Sequence, residues 1–280
     1  MRKCAIAACL LGLLAAGNAL GTTVTLSNVP AYEWYHGCTP TAVGSIMGYW
    51  DIHGYSNMFN ASGWTAVSQT ANVEDQISSP AHNAKYDSTP DNPTLSTPAK
   101  TSIADFLGTS VGLLGYGSTY TNNIPSGMTA YASSRGYTAT AHENLYLAGI
   151  LGLTWAKLTS EIDAGRPMLF DVDSNGDGKN DHSVPVVGYE TVGGVHYYGC
   201  YTTWSEDETI QWYQFTGVSA GHPFGIYDGD SFQLTTKPEP AVVMSAGRIP
   251  SVLATPEPST LILLGTGVLG FLAFTRRLRK

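Results

Sequence analysis

The stretch Gly37-Cys38-Thr39-Pro40-Thr41-Ala42 predicts the start of a helix that carries a cysteine in its first turn. Thr39 suits the N-cap, and Pro40 suits the first helical position, where its missing N–H costs nothing. Apolar residues then recur at spacings of three and four, so that one face of the helix should be buried: Val43, Ile46, Met47 and Trp50. The polar stretch 51–54 should end the helix.

Cys38 is a candidate nucleophile, because unpaired N–H groups and the positive end of a helix dipole stabilise a thiolate at a helix N-terminus. A neighbouring imidazole would complete the activation of the thiol. His182 is the best candidate for this base, since it opens an apolar strand directly after a loop. His36 is closer in sequence, but its side chain would have to fold back onto the cysteine.

The chain places most of its helical patterns before most of its strand patterns, which predicts an α+β fold. Helices are expected at 101–109, 126–134 and 156–164, and the polar segment 54–98 is expected to be a long surface excursion. Strands are expected at 137–141, 168–172, 183–189, 195–204, 211–216 and 232–234. Gly193-Gly194 is typical of a two-residue hairpin turn.

Cys38 and Cys200 are the two cysteines that follow residue 21, so they either pair or leave a reactive thiol. Oxidising compartments favour pairing. With Gly193-Gly194 as the turn, Cys200 should lie opposite Val187 and point to the face of the sheet opposite His182. If Cys38 lies beside His182, it could then not form a disulfide with Cys200. A register slip of one residue would put Cys200 on the other face and reverse this conclusion. The disulfide therefore stays an alternative.

The segment 173–181 has the pattern of a short extracellular calcium loop. Its oxygen-bearing side chains stand at positions 1, 3, 5 and 9, and a glycine at position 6 permits a sharp turn. We expect a Ca²⁺ ion to be bound by Asp173, Asn175, Asp177 and Asp181, with the carbonyl of Lys179. Asp171 could add an outer ligand, and a solvated acidic turn is the alternative. Because Asp181 precedes His182, a bound ion should hold the base in place.

Both ends of the chain have the pattern of sorting segments. Residues 1–21 combine a basic start, an apolar run and small residues before Thr22, which predicts a signal peptide. At the other end, Pro256-Glu257-Pro258 precedes the uncharged run 261–274 and a basic terminus. As a helix this run would cover about 21 Å of a hydrocarbon core of about 30 Å, so it is a marginal membrane anchor. The order of these three parts resembles the PEP-CTERM sorting signal.

The PEP-CTERM resemblance implies an exosortase-type partner that removes the tail after transient anchoring in the inner membrane. The protein would then lie at the cell surface or outside the cell. We divide the chain into a signal peptide (1–21), a main domain (22–236), a linker (237–255) and a sorting tail with a short transmembrane helix (256–280). Residues 22–255 carry 21 of the 22 acidic residues but 8 of the 14 basic ones, which argues against nucleic acid as a partner.

The stretch 37–42, with Met47 and Trp50, resembles the nucleophile helix of C39-like, papain-fold peptidases. Residues 181–189 resemble the histidine strand of that family, and Gly165-Arg166-Pro167 resembles the stop of the helix before it. The resemblance implies a papain-like fold, in which an N-terminal nucleophile helix packs on a C-terminal antiparallel sheet. It also implies a cysteine peptidase or acyl transferase acting on peptide or envelope-polymer amides, with Cys38 as nucleophile and His182 as base.

Two positions depart from the pattern of that family. Tyr32 stands where the family carries a glutamine that donates to the oxyanion, and a tyrosine hydroxyl could replace it. Thr202-Thr203 stands where an Asp or Asn orients the histidine, and Asp207 is a candidate substitute. Two alternatives to an enzyme therefore remain: an inactive papain-like domain that binds peptide or polysaccharide, and a structural surface protein in which Cys38 is incidental.

Overall fold

A computed structural model describes residues 21–59, 66–88, 90–207 and 209–235. Its helices are α1 (Cys38–Ile52), α2 (Ala71–Ile77), α3 (Pro80–Tyr86), α4 (Ile103–Leu107), α5 (Ile124–Ser134) and α6 (Trp155–Asp163). Its strands are β1 (Thr22–Thr25), β2 (Thr138–Leu147), β3 (Leu151–Gly152), β4 (Met168–Asp173), β5 (His182–Val192), β6 (Val195–Cys200), β7 (Gln211–Gln214) and β8 (Gly225–Thr235).

These strands form one sheet in the order β3-β2-β8-β4-β5-β6-β7, and β1 also pairs with β5. Each of these strand pairs is antiparallel. The mixture of helices with an antiparallel sheet confirms the predicted α+β class. The Gly193-Gly194 turn is confirmed too, because β5 and β6 pair from Val192 and Val195 outward. The last strand, β8, lies between β2 and β4, so the centre of the sheet joins segments far apart in sequence.

The two faces of the sheet bury different side chains. On one face, Leu169, Phe232 and Leu234 belong to a core cluster with apolar residues of α1, α4 and α5. On the other face, the strands contribute Phe170, Val184 and Tyr198 to a second cluster with Leu158 and Ile162 of α6. Successive residues of a strand point to opposite faces, which explains why neighbours such as Leu169 and Phe170 belong to different clusters.

The helix that begins at Cys38 confirms the main expectation from the sequence, but its N-cap is Gly37 rather than Thr39. Gly37 has a φ of 147°, which lets the chain turn sharply before the helix. The first helical hydrogen bond runs from the Thr41 N–H to the Gly37 carbonyl at 3.2 Å. The helix ends at Ile52, as expected.

Four other expectations about the elements are wrong. The segment 54–98 contains two seven-residue helices, whose N-caps Thr70 and Ser79 accept from backbone N–H groups. These helices are too short to show a repeated apolar pattern in sequence. Strand β8 starts at Gly225 rather than 232, and β2 extends to Leu147 rather than ending at 141. Strand β6 ends at Cys200, so that 201–204 is irregular chain with a bend at 203–204 and not a strand.

Both cysteines of the described chain are free thiols, which removes the disulfide alternative. The predicted register of the β5–β6 hairpin holds from Val192 to Gly188, but an irregularity then shifts it by one residue. Cys200 therefore lies opposite Val186 and packs in the cluster with α6 residues. The facing argument from the sequence was thus wrong, because the slip puts Cys200 on the face it had excluded. Cys38 starts α1, which packs on the other face of the sheet.

Candidate active site

One cavity of about 420 Å³ brings the predicted nucleophile and base together. Its lining includes Cys38 and Thr39 from the start of α1, and His182 and Ser183 from the start of β5. The loop 116–121 and the indole of Trp204 supply other walls. The convergence of Cys38 and His182, 144 positions apart in sequence, follows from the packing of α1 against β5.

Gly37 fixes the direction in which Cys38 leaves the chain. A Cβ at Gly37 would lie 2.8 Å from the Pro40 ring and 2.9 Å from the Gly117 carbonyl oxygen. The preceding residue, His36, also has a positive φ of 53°. Side chains other than glycine adopt these backbone angles only with strain, so the sharp turn into α1 depends on the glycine.

We expect the Gly37→Ala variant to lose about 1–3 kcal/mol of unfolding free energy, because its Cβ would clash and its φ would be strained. The thiol should move away from the cavity, so its alkylation by iodoacetamide should change rate as well. Chemical denaturation and mass spectrometry measure the two effects. The matched control is Gly54→Ala, since a Cβ there meets nothing within 4 Å although its φ is also positive, at 100°. Equal losses of unfolding free energy in the two variants, with an unchanged alkylation rate of Cys38, would show that a Cβ at Gly37 causes no clash.

The surroundings of Cys38 favour the neutral thiol. Burial raises the pKa of Cys38, and the negative charge of Asp171 adds to this effect. Hydrogen bonds from the Ser183 backbone, and from the hydroxyls of Thr39 and Ser183, act in the opposite direction but are outweighed. From the sequence, the helix N-terminus was expected to favour the thiolate. The result differs because desolvation of the charged sulfur is the larger effect.

His182 is held by a backbone carbonyl. Its Nε2 lies 2.7 Å from the Thr202 carbonyl oxygen, and since that oxygen can only accept, Nε2 carries the proton. The other ring nitrogen, Nδ1, is therefore the one that can take up a proton from a nucleophile. Burial lowers the pKa of His182, although the Thr202 bond and the nearby Asp181 charge oppose this effect. The ring is thus neutral at neutral pH, as a general base must be.

The segment 202–204 shapes the histidine side of the cavity. Thr203 has a φ of 59°, and its carbonyl accepts the Trp34 N–H at 2.7 Å. Trp204 stacks on the His182 ring, with centroids 5.1 Å apart and planes inclined by 24°. A threonine in the left-handed region is strained, and such strain is often found at functional sites. The sequence placed these residues near the histidine but missed that a main-chain oxygen, rather than a side chain, contacts it.

Several side chains weighed from sequence lie away from the reacting groups. Tyr32 is buried in the core, where its hydroxyl donates to the Ala66 carbonyl at 2.6 Å, so it is unavailable as an oxyanion donor. The Asp207 carboxylate accepts from the N–H and hydroxyl of Thr209 and is exposed. The His36 ring is 3.0 Å from Asp87 and 2.6 Å from the Tyr116 hydroxyl, both through Nδ1. None of these three side chains therefore takes the role considered for it.

The predicted calcium loop is a tight turn between β4 and β5. The Asp173 carboxylate accepts the N–H groups of Gly176, Asp177 and Gly178 at 2.6–3.1 Å. Burial opposes the ionisation of Asp173, but these hydrogen bonds hold its pKa below the ordinary value. The loop leads directly into the cavity, whose lining includes Asn180 and Asp181.

The remaining predicted ligands also bond within the loop. The Asp181 carboxylate accepts from the Ser174 N–H, the Ser174 hydroxyl and the Asn175 amide at 2.7–3.1 Å. Asn175 and Asp177 each accept a backbone N–H two residues further along the chain. Hydrogen bonds within the loop therefore hold the five predicted ligand residues together. Whether they bind an ion remains a prediction.

A mixed helix and sheet domain with a thiol and an imidazole in one cavity has the arrangement of a cysteine peptidase-like protein. The profile of the Peptidase_C39-like family matches residues 26–220, so the chain belongs to that family. The PEP-CTERM protein-sorting motif matches residues 254–279. No curated protein matches the chain.

The two matches confirm the resemblances drawn from sequence and identify an exported, peptidase-like protein. The sorting motif implies recognition by exosortase-type machinery and processing at a membrane. Among the helices of the described ranges, none is long and apolar enough to cross a membrane. Almost all of the predicted signal peptide, the whole predicted linker (237–255) and the predicted transmembrane run 261–274 lie outside the described residues.

Proposed function

We propose that this protein is a cysteine peptidase with a papain-like arrangement, which hydrolyses or transfers peptide amides outside the cytoplasm. Cys38 is the nucleophile and His182 is the base. The observation that carries the proposal is the hydrogen bond from His182 Nε2–H to the Thr202 carbonyl in the cavity that also contains Cys38. This bond leaves Nδ1 unprotonated and orients the ring, which is the role that an Asp or Asn has in the family.

The reaction begins when the Cys38 sulfur attacks the carbonyl carbon of the substrate amide and its proton passes to His182 Nδ1. The tetrahedral oxyanion collapses, the C–N bond breaks, and His182 returns the proton to the leaving amine. Water then attacks the thioester with His182 as base, the C–S bond breaks, and the acid product and the thiol are released. In a transfer reaction, an amine takes the place of that water.

The oxyanion would be stabilised by backbone N–H groups at the start of α1. The N–H groups of Cys38 and Thr39 precede the first helical hydrogen bond, which is made by Thr41. Such N–H groups have no intrahelical partner and lie at the positive end of the helix dipole. These N–H groups take the place of the Tyr32 hydroxyl that was considered from the sequence. That hydroxyl lies in the core.

Labelling of the sulfur in the presence of substrate-like inhibitors tests the proposal. A peptidyl ketone with a leaving group should alkylate Cys38 faster than iodoacetamide does, because the ketone occupies the oxyanion site during attack. Mass spectrometry locates the adduct, and the same reagents are applied to His182→Gln. Equal rates for the two reagents, in both proteins, would rule out a catalytic site.

The second candidate is an inactive papain-like domain that binds peptide or polysaccharide at the cell surface or in the extracellular matrix. The raised pKa of the Cys38 thiol favours it, as does the lack, in the described chain, of a carboxylate bonded to His182. Aromatic walls from Trp34 and Tyr116, whose ring centroids are 5.9 Å apart, would suit either kind of ligand. Binding of a peptide without turnover, unaffected by Cys38→Ala, would favour this candidate.

We further propose that the 173–181 loop binds Ca²⁺ and thereby holds His182 in place. A ligand present at about 100 times its dissociation constant stabilises the native state by about 2.7 kcal/mol. For a domain of this size we therefore expect the melting temperature to rise by about 5–10 °C on addition of calcium to chelated protein. Differential scanning calorimetry measures this rise. It should be smaller in Asp177→Asn than in Asp207→Asn, a control that removes the same charge from another exposed loop.

An equal rise in the two variants would mean that the loop does not account for the calcium response. No rise in any of the proteins at millimolar calcium would mean that the loop is a solvated acidic turn.

A further inference from the structure

Three buried carboxylates meet on the helix-covered face of the central sheet. Asp171 of β4 lies directly opposite Asp228 of β8, and Asp230 follows two residues later on the same face. One oxygen from each of the three carboxylates lies within 4.8 Å of the other two. The sequence did not reveal this cluster, because the strand that carries Asp228 and Asp230 was predicted to begin only at 232.

These carboxylates have almost no hydrogen-bond partners. Asp228 and Asp230 are fully buried, and their carboxylate oxygens accept from no N–H or hydroxyl group of the described residues. The carboxyls of Asp171 and Asp228 lie close enough to share a proton. Asp171 accepts the Ser183 hydroxyl through one oxygen, while its other oxygen is also unpartnered. No ion pair of the described residues involves any of the three. Within the described residues, five buried oxygens thus face one another with no N–H donor, hydroxyl donor or cationic side chain bonded to them.

Such an arrangement is unstable as three bare negative charges. Like charges directly across a strand pair repel, and a buried charge without a partner is costly. Burial, together with the charges of Asp171 and Glu143, raises the pKa values of Asp228 and Asp230 far above the ordinary range. Neutralisation requires either protons or a metal ion. Each proton would neutralise one carboxylate, whereas a single divalent cation can bind oxygens from all three residues.

We propose that Asp171, Asp228 and Asp230 form a second cation site, distinct from the 173–181 loop, for a hard divalent ion such as Ca²⁺. The three residues offer only oxygen ligands, which suit Ca²⁺ or Mg²⁺ rather than softer metals. Asp171 also lines the active-site cavity, so the ion can enter from there and keep water ligands on that side. The site does not depend on whether Cys38 is catalytic.

The proposed ion is linked to the nucleophile by a short chain of hydroxyl groups. Asp171 accepts from Ser183, whose oxygen is 2.9 Å from the Thr39 hydroxyl, and Thr39 follows Cys38. The ion would therefore fix the cavity wall beside the thiol, in addition to joining β4 to β8. The register shift between Asp171 and Val172 supports this role, because bulges re-aim side chains next to functional sites.

Calorimetric titration with CaCl₂ and, separately, MgCl₂ tests the site on chelated protein. We compare a loop control, Asp173→Asn/Asp177→Asn, with the same protein that carries Asp228→Asn/Asp230→Asn in addition, so that the 173–181 loop does not contribute to the binding measured. The loop control should still bind one ion per chain. Adding Asp228→Asn/Asp230→Asn to the loop control should weaken the binding of that ion at least about 100-fold. The two salts identify which hard cation the site prefers.

Melting in the presence of chelator adds a readout that does not require the metal. Without an ion, Asp228→Asn/Asp230→Asn should melt no lower than the wild type, because the substitutions remove repulsion. If circular dichroism shows that this double variant is unfolded, Asp230→Asn alone is measured against the same binding criterion. The proposal is overturned if the loop control binds no ion at millimolar concentration, in which case the carboxylates share protons. It is equally overturned if adding Asp228→Asn/Asp230→Asn to the loop control leaves the affinity for this ion unchanged.

Discussion

Replacing Cys38 by serine is expected to lower kcat/KM on a peptide substrate at least about 10³-fold, with the cavity unchanged. The hydroxyl occupies nearly the same volume but is a much weaker nucleophile without strong activation. His182→Gln should lower kcat/KM to a similar extent, because an amide N–H can replace the bond to Thr202 while no base remains. A fluorogenic peptide library provides the assay.

The control for these variants is Cys200→Ala, which removes the other thiol of the described chain. Cys200 is buried among apolar side chains of the cluster that includes α6 residues. It should therefore cost some stability but leave kcat/KM unchanged. The double variant Cys38→Ser/His182→Gln should be no worse than either single variant, since the two residues act as a unit. Additive losses would show that they act independently and would contradict the proposed pair.

The pH dependence follows from the two shifted pKa values. Since the pKa of His182 is lowered, the ring is already neutral at pH 7, and activity should be lost only as the pH falls through that lowered value. Since the pKa of Cys38 is raised, alkylation of the resting thiol should rise about tenfold per pH unit through neutral pH and beyond. Rapid labelling at pH 5–6 would instead indicate a preformed thiolate–imidazolium pair.

The parts of this site that the sequence predicted are encoded locally. The helix start at Cys38 is marked by Gly37, Pro40 and the apolar spacing, and the histidine strand by its apolar run. The turn before His182 is marked by its Asp, Asn and Gly residues. In each case residue type and short spacing determine the backbone, so the prediction required no knowledge of distant contacts.

The parts that the sequence did not predict depend on distant contacts or on the main chain. The carbonyl of Thr202 orients His182, and every residue has a carbonyl, so residue type carries no signal for it. Tyr32 has the expected spacing from Cys38, but its ring packs with Phe59 in the core and not at the cavity. Asp228 and Asp230 flank a glycine, a pattern typical of turns, and only pairing with β2 and β4 keeps this segment extended.

Asp105 anchors the helices behind the cavity wall. Its carboxylate accepts from His82 Nδ1 at 2.8 Å and, with its other oxygen, from the Ser102 N–H and hydroxyl and from Ser79. His82 Nε2 bonds the Thr109 carbonyl at 2.9 Å. Both ring nitrogens of His82 therefore lie at hydrogen-bond distance from an oxygen, one of Asp105 and one of the main chain. The pair joins α3 to α4, directly before the loop that lines the cavity.

We expect Asp105→Ala to cost about 3–5 kcal/mol of unfolding free energy, because it leaves buried polar groups of His82, Ser102 and Ser79 without their acceptor and removes the capping box of α4. Asp105→Asn keeps one acceptor and should cost less, about 1–3 kcal/mol. Urea denaturation at pH 7 measures both. Asp75→Asn, an exposed position on α2, should change stability by less than about 0.5 kcal/mol.

The same pair predicts how stability responds to acid. Burial alone raises the pKa of Asp105, but the hydrogen bonds from His82, Ser102 and Thr101 outweigh it and lower the pKa to about 2. A lowered pKa contributes stability above the unfolded-state value, and that contribution is lost as the pH falls from about 4 to about 2. Its size is about 2 kcal/mol in the wild type and should vanish in Asp105→Asn. If the two proteins lost stability in parallel over this range, the bonds to Asp105 would not be the cause, and another carboxylate would have to account for the acid sensitivity.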